Sequence, residues 1–200
     1  MTQLLVIADD LTGALDTGVQ LAKAGIPTEV RIFSETQAAV EETEPSSLVV
    51  VADTESRHLP AGEAYERVRN AAAWGRALGI KRFYKKTDST LRGNVGPEIA
   101  ALIAASAEAG ETGLLVFAPA FPALGRTTEN GRQLVDGVSL EKTAFARDRL
   151  NPITTGSIEE ILRKDADLSV RVTGPSGLAD ALPAARDKAA SGEQIGRAHV

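Results

Sequence analysis

The chain has 200 residues, no cysteine, a formal net charge of −5 and a pI of about 5.2. The acidic balance argues against nucleic acid, which favours a basic stripe, and the missing cysteines exclude disulfides, Cys-based zinc sites and a thiol nucleophile. With 43% hydrophobic and 24% charged residues and no apolar run near the roughly 20 residues of a membrane helix, it reads as an ordinary globular protein, long enough for one domain or for one domain and part of a second. Met1 to Asp10 is already strand-like and lacks a basic leader segment, so no signal peptide is visible and the expected location is cytoplasmic.

Leu4 to Ala8 is a short apolar run that reads as a buried parallel strand. Asp9-Asp10-Leu11-Thr12-Gly13 follows, then a helix to about Ala24 with Gly25 as its stop. Thr28 to Phe33 is a second strand, Glu35 to Glu42 a short acidic helix, and Leu48 to Ala52 a third strand, continuous in Val and therefore buried. That strand ends in Asp53-Thr54-Glu55-Ser56-Arg57. Pro60 to Leu78 is a long helix with Pro at its first turn. Ile80 to Tyr84 is a fourth strand and Pro97 to Ala109 the helix after it. Leu114 to Phe117 is a fifth strand, whose continuation Ala118-Pro119-Ala120-Phe121-Pro122 lacks ladder donors. Pro119 to Pro152 is long, polar and weakly periodic, and such a stretch is usually functional or has elements of its own; a short hairpin around Gln133 to Val138 is expected in it. Ile158 to Lys164 is a short helix, Leu168 to Val172 a sixth strand, Thr173-Gly174-Pro175-Ser176 a turn and Leu178 to Ala190 the last helix. The β-α alternation predicts an α/β fold: a mostly parallel, Rossmann-like sheet with helices on both faces and a protruding hairpin excursion.

Chemistry concentrates in Lys85-Lys86-Thr87-Asp88-Ser89-Thr90-Leu91-Arg92-Gly93-Asn94-Val95-Gly96, where a strand hands over to a helix. Open α/β sheets bind ligands at the carboxyl ends of their strands. The mixture of Lys86, Thr87, Asp88, Ser89, Thr90 and Arg92 suits a small polyhydroxylated anion. Arg92 offers a two-pronged grip on a carboxylate, lysine a point charge, and Asp88, Ser89 and Thr90 partners for hydroxyls. The competing interpretation is a solvated turn with a helix cap. Asp9 and Asp10 stand before a helix N-terminus, where acids complement the dipole or hold ligand hydroxyls. A phosphatase-type Asp-x-Asp-x-Thr would need a nucleophile where Ala8 stands, so phosphoaspartate chemistry is not available. The glycine patterns of dinucleotide sites and P-loops are absent. No metal site is read from the sequence, and no catalytic residue is assigned.

Four stretches together resemble the four-carbon acid sugar kinases, or tetronate kinases. They are Ile7-Ala8-Asp9-Asp10-Leu11-Thr12-Gly13-Ala14, Asp53-Thr54-Glu55-Ser56-Arg57, Lys86 to Asn94, and Ala118 to Pro122 with Gly125-Arg126-Thr127-Thr128. The likeness runs from about Leu4 to Leu182. It implies the N-terminal, acid-sugar-binding domain (residues 1–194) of a two-domain kinase whose C-terminal ATP-binding domain is absent, with ATP and Mg²⁺ as cofactors of the full-length protein. It implies transfer of the γ-phosphoryl group of ATP to the terminal hydroxyl of D-threonate, D-erythronate or 3-dehydrotetronate, the first two favoured because Arg92 stands where the third branch more often has Lys. Asp9 or Asp10, Arg57 and Lys86 to Thr90 would then line the pocket, with Arg57 and Arg92 on the carboxylate and Asp10 and Asp88 on hydroxyls. The implied partner is a small sugar acid, not nucleic acid or membrane; homo-oligomerisation stays open. A module that binds sugar acids without catalysis is the alternative, and the length of the intact gene separates the two. The final hexapeptide, Ile195-Gly196-Arg197-Ala198-His199-Val200, matches the translation of a common sequencing-adapter string, and a reading frame that ran off a truncated fragment is expected there.

Overall fold

The computed structural model describes residues 2–33, 46–111, 114–174, 177–190 and 195–199. The acidic helix expected at Glu35 to Glu42 and the turn at Pro175-Ser176 lie outside these residues. The chain divides into two compact units, Met1–Thr87 and Asp88–Val200.

The first unit is a four-stranded parallel sheet of β1 (Leu4–Ala8), β2 (Thr28–Ile32), β3 (Val49–Asp53) and β4 (Arg82–Lys86) in the order β2-β3-β1-β4. β1 and β3 are apolar without alternation because both their faces are covered. On one face Val6, Ala8, Val49 and Val51 pack with Ala14 and Leu21 of α1 (Leu11–Lys23). On the other, α2 (Ala61–Ala77) comes so close that a Cβ on Gly75 would lie 2.6 Å from Leu5 Cδ2 and 3.3 Å from Phe83 Cε1. Helices therefore cover both faces, as the β-α alternation implies. β4 starts two residues later than the sequence pattern suggests. Ile80 is still tied to the end of α2, its N–H donating to the Gly75 carbonyl at 3.0 Å, and pairing with β1 in the register Leu4↔Arg82 to Ala8↔Lys86 sets the strand. Lys85 and Lys86 thus belong to the strand, not to the loop after it.

The second unit holds α3 (Val95–Glu108), β5 (Leu114–Phe117), β6 (Arg126–Glu129), β7 (Arg132–Val135), β8 (Val138–Ser139), α4 (Ile158–Arg163), β9 (Val170–Thr173), α5 (Leu178–Ala190) and β10 (Ile195–His199). The expected hairpin is present and is extended to an antiparallel sheet β6-β7-β8. The α/β class holds, but β5 does not extend the first sheet. It pairs in parallel with β10, which pairs in parallel with β9. The hexapeptide that fitted no sequence pattern thus supplies the middle strand of this sheet. The core of the unit is Leu91, Val95, Ile99, Ile103, Phe117, Leu140, Ile153, Ile158, Leu162 and Leu168. α3 reaches α4 at Gly96, where an added Cβ would lie 2.5 Å from the Leu162 carbonyl oxygen and 2.7 Å from that of Lys164. Backbone atoms on both sides cannot yield cheaply. Gly96→Ala is therefore expected to destabilise by on the order of 2 kcal/mol, even though Gly→Ala normally strengthens a helix. Urea unfolding checks this, with the solvent-exposed Gly62→Ala, which meets nothing within 4 Å, as the neutral control.

Candidate functional site

In the first unit Ala8 lies in register with Asp53 on one side and Lys86 on the other. The residues that follow β1, β3 and β4 therefore emerge along one sheet edge. α1, which follows β1, packs on the face of Val6 and Val51, while α2, which follows β3, packs on the face of Leu5. Adjacent strands whose connections leave for opposite faces open a crevice between their carboxyl ends, the usual ligand position in such sheets.

The β1 and β3 loops meet there. Arg57 Nε donates to Asp9 Oδ2 at 2.7 Å and its Nη1 to Asp10 Oδ2 at 2.5 Å. The side chains of Arg57 and Asp9 are only 11% and 3% exposed, and that of Asp10 21%. Asp10 also caps α1, its Oδ1 accepting from the Gly13 N–H at 2.8 Å. A Cβ on Gly13 would lie 2.8 Å from that oxygen and 3.3 Å from Lys86 Nζ, so glycine leaves room for the cap and for the lysine beside it. Thr54 ties the two loops together: its N–H and its hydroxyl both donate to the Ala8 carbonyl, at 2.9 and 2.7 Å. The Thr54 hydroxyl also lies 2.8 Å from that of Ser56.

Asp53 ends β3 with no exposed surface. Its Oδ1 accepts from the Glu55 N–H at 3.1 Å, while its Oδ2 is buried without a hydrogen-bond partner, as is Asp9 Oδ1. Burial pushes the Asp53 carboxyl up to about 7; the Glu55 N–H opposes the shift, and the negative charges of Glu55 and Asp10 add to it.

In the second unit the stretch after Thr87 closes on itself. Asp88 Oδ2 accepts from the Thr90 hydroxyl at 2.6 Å and from Arg92 Nε at 2.5 Å. The Leu91 N–H donates to the Asp88 carbonyl at 2.8 Å. Arg92 Nη1 donates to Asp148 Oδ2 at 3.1 Å, and its guanidinium lies 5.3 Å from the centre of the Phe145 ring. The N–H groups of Asn151 and Leu150, with Arg92 behind them, hold the Asp148 carboxyl below the usual carboxylate range. Beneath the turn, the fully buried Gln133 donates to the Ser89 carbonyl at 2.9 Å and accepts from Thr128 at 2.5 Å.

Asp9, Asp10, Arg57 and Lys86 thus share one sheet edge in the first unit, where Thr87 accepts a hydrogen bond from Lys86 Nζ at 2.8 Å. Asp88, Ser89, Thr90 and Arg92 form one turn in the second. Asp53, Thr54, Ser56, Gln133, Phe145 and Asp148 join these groups without having been singled out as site residues. Thr54 and Ser56 stood inside a quoted motif; Asp148 and Gln133 carried no signal of their own. Among the described residues no group of three or more His, Cys, Asp or Glu side chains is placed to share a metal ion, and no helix is long and apolar enough to cross a membrane.

Sheet order and ion-paired strand ends define the class: a doubly wound α/β protein with polar loops arranged for a small hydrophilic molecule. A family model described as a sugar-binding N-terminal domain matches residues 4–199. The chain is 43% identical over 169 residues to a D-threonate kinase of Salmonella typhimurium, covering 84% of this chain and 38% of that protein. It is 39% identical over 172 residues to a D-erythronate kinase of Heliobacterium modesticaldum, covering 85% and 38%. A Bordetella bronchiseptica crystal structure of a domain of unknown function, a domain-swapped dimer with bound citrate, aligns with a TM-score of 0.77 at 30% identity, over 98% of this chain and 46% of that one. The chain belongs to the four-carbon acid sugar kinase family, in the part that forms the sugar-binding N-terminal domain. It spans well under half the length of these relatives.

Proposed function

We propose that this chain is the substrate-binding part of a cytoplasmic, ATP-dependent kinase that phosphorylates the terminal hydroxyl of a four-carbon sugar acid, D-threonate or D-erythronate ahead of 3-dehydrotetronate. The observation that carries the reading is the Arg57 guanidinium held by both Asp9 and Asp10 at the crevice between β1 and β3. A cation fixed in this way is oriented before any ligand arrives, and phosphoryl transfer depends mainly on positioning and on charge screening. Asp9, Asp10, Arg57, Lys86 and Thr87 in the first unit, and Asp88, Ser89, Thr90 and Arg92 in the second, are the residues assigned to substrate contact. Arg57 and Lys86, beside the N-terminus of α1, suit the carboxylate. The citrate in the Bordetella relative is a hydroxylated carboxylate of related chemistry. The described residues offer no cluster to hold the Mg²⁺ of an ATP complex, so ATP and Mg²⁺ are assigned to the C-terminal domain of the full-length protein and no step is routed through them here. In the same proposal residues 1–194 are the acid-sugar domain and Ile195 to Val200 derive from an adapter; native DNA that encodes the hexapeptide ends that part.

Measuring ATP consumption by the full-length gene product against threonate, erythronate and 3-dehydrotetronate isomers tests the function. Turnover of D-threonate or D-erythronate is expected, and no turnover of any tetronate ends the reading.

A further inference from the structure

We propose that Asp148 is a specificity-determining residue of the acid-sugar site: with Asp88 it brackets Arg92, so that this part of the site selects hydroxyl groups and turns away a bare carboxylate. The inference rests on the function proposed above.

Composition alone suggests that Arg92 grips the substrate carboxylate, but its hydrogen bonds point elsewhere. Nε is shared between Asp88 Oδ2 at 2.5 Å and the Thr90 hydroxyl at 3.1 Å. Nη1 goes to Asp148 Oδ2 at 3.1 Å, and the ring of Phe145 backs the guanidinium. The two carboxylates and one guanidinium sum to a charge of −1, and Asp148 stays ionised at neutral pH because its pKa is held low. The three side chains are 12% (Asp88), 24% (Asp148) and 27% (Arg92) exposed, so their outer edges are within reach of a ligand. An arriving carboxylate would meet two like charges for one opposite charge already engaged. An arriving hydroxyl would meet ionised acceptors with lone pairs to spare, and hydrogen bonds to ionised groups are the stronger kind. A tetronate carries hydroxyls on its middle carbons, which is the chemistry such a cluster recognises.

Asp148 is well anchored for this task. Its Oδ1 accepts from the N–H groups of Leu150 and Asn151 at 3.0 and 2.8 Å, which fixes the side chain on its own turn and leaves Oδ2 to Arg92. Asp148→Asn keeps an Oδ1 for the turn and removes only the charge.

The test uses the full-length kinase, the KM of its tetronate substrate and the inhibition constant of 4-hydroxybutanoate, which keeps the carboxylate and terminal hydroxyl but lacks the middle hydroxyls. In the wild type the tetronate should bind at least tenfold more tightly. In Asp148→Asn the tetronate KM should rise about tenfold while 4-hydroxybutanoate binds as well as before or better, collapsing the preference; the KM for ATP should not move. Equal weakening of both acids, an unchanged preference, or a wild type without any preference overturns the inference. Asp148→Ser, which also leaves an acceptor for the turn, replaces the Asn variant should that one fail to fold. A wild type that phosphorylates no tetronate ends the proposed function and this inference with it; an active wild type whose Asp148 variants keep their selectivity ends this inference alone.

Discussion

Arg57→Met is expected to lower the unfolding free energy by about 3–5 kcal/mol at pH 7, the range for removing one partner of a buried ion pair, and to abolish sugar-acid binding by the full-length protein without changing ATP binding. The guanidinium faces two carboxylates, and the Asp9 side chain is only 3% exposed. Without it Asp9 keeps its charge in a site where Oδ1 already lacks a partner, and Asp53 is buried nearby at the end of β3. Arg57→Lys should lie between the variant and the wild type, because one ammonium cannot reproduce a planar fork that spans Asp9 and Asp10. Asp9→Asn in the Arg57→Met background should regain part of the loss, since it removes the stranded charge. Urea unfolding measures the first effect and calorimetric titration with the tetronate the second. A Met variant within 1 kcal/mol of wild type, binding the acid normally, would remove Arg57 from both the structural and the functional account.

What the sequence revealed and what it hid follow from the range of the interactions involved. β1 and β3 were legible because burial on both faces writes itself into consecutive residues, Leu4 to Ala8 and Val49 to Ala52. The loops after them were legible because charge is seldom placed next to such strands without use. The two-residue displacement of β4 was not, since the register Ala8↔Lys86 is a pairing decision made with β1. The division of the parallel strands into two sheets was hidden for the same reason: β5 and β9 look like any other apolar strands, and only the parallel pairing of both with β10 assigns them. Asp148 and Gln133 show the limit most clearly. Each is one polar residue in a long polar stretch, and each gains its meaning from a partner distant in sequence, Arg92 at 56 positions and Ser89 at 44. The role of Arg92 was likewise inferred from what an arginine offers, whereas its two acidic neighbours decide what it has left to offer. Asp53 reads like Asp9 and Asp10 until burial separates them.

That burial yields the second large effect, a dependence of stability on the ionisation of Asp53. Its folded pKa is raised from the ordinary 3.8 to about 7, chiefly by desolvation. Between these values the folded chain binds the proton that the unfolded chain releases, so the slope of unfolding free energy against pH is negative. The contribution is fully present below about pH 4 and is lost as the pH rises through about 7. At 1.36 kcal/mol per pH unit the whole loss is at most roughly 4 kcal/mol. Asp53→Asn keeps an Oδ1 to accept from the Glu55 N–H and cannot ionise. Urea unfolding at pH 5 and pH 8 should therefore show the variant gaining on the wild type by about 2–3 kcal/mol across that interval; parallel profiles would mean that Asp53 is ionised throughout. The same proton sets the charge of the proposed carboxylate subsite. With Asp53 neutral, Asp9 and Asp10 are balanced by Arg57 and Lys86; with Asp53 ionised the edge carries one extra negative charge. The KM of the full-length kinase for its sugar acid should accordingly climb above about pH 7 in the wild type and stay level in Asp53→Asn, an outcome that ties the buried end of β3 to the ligand without requiring the two to touch.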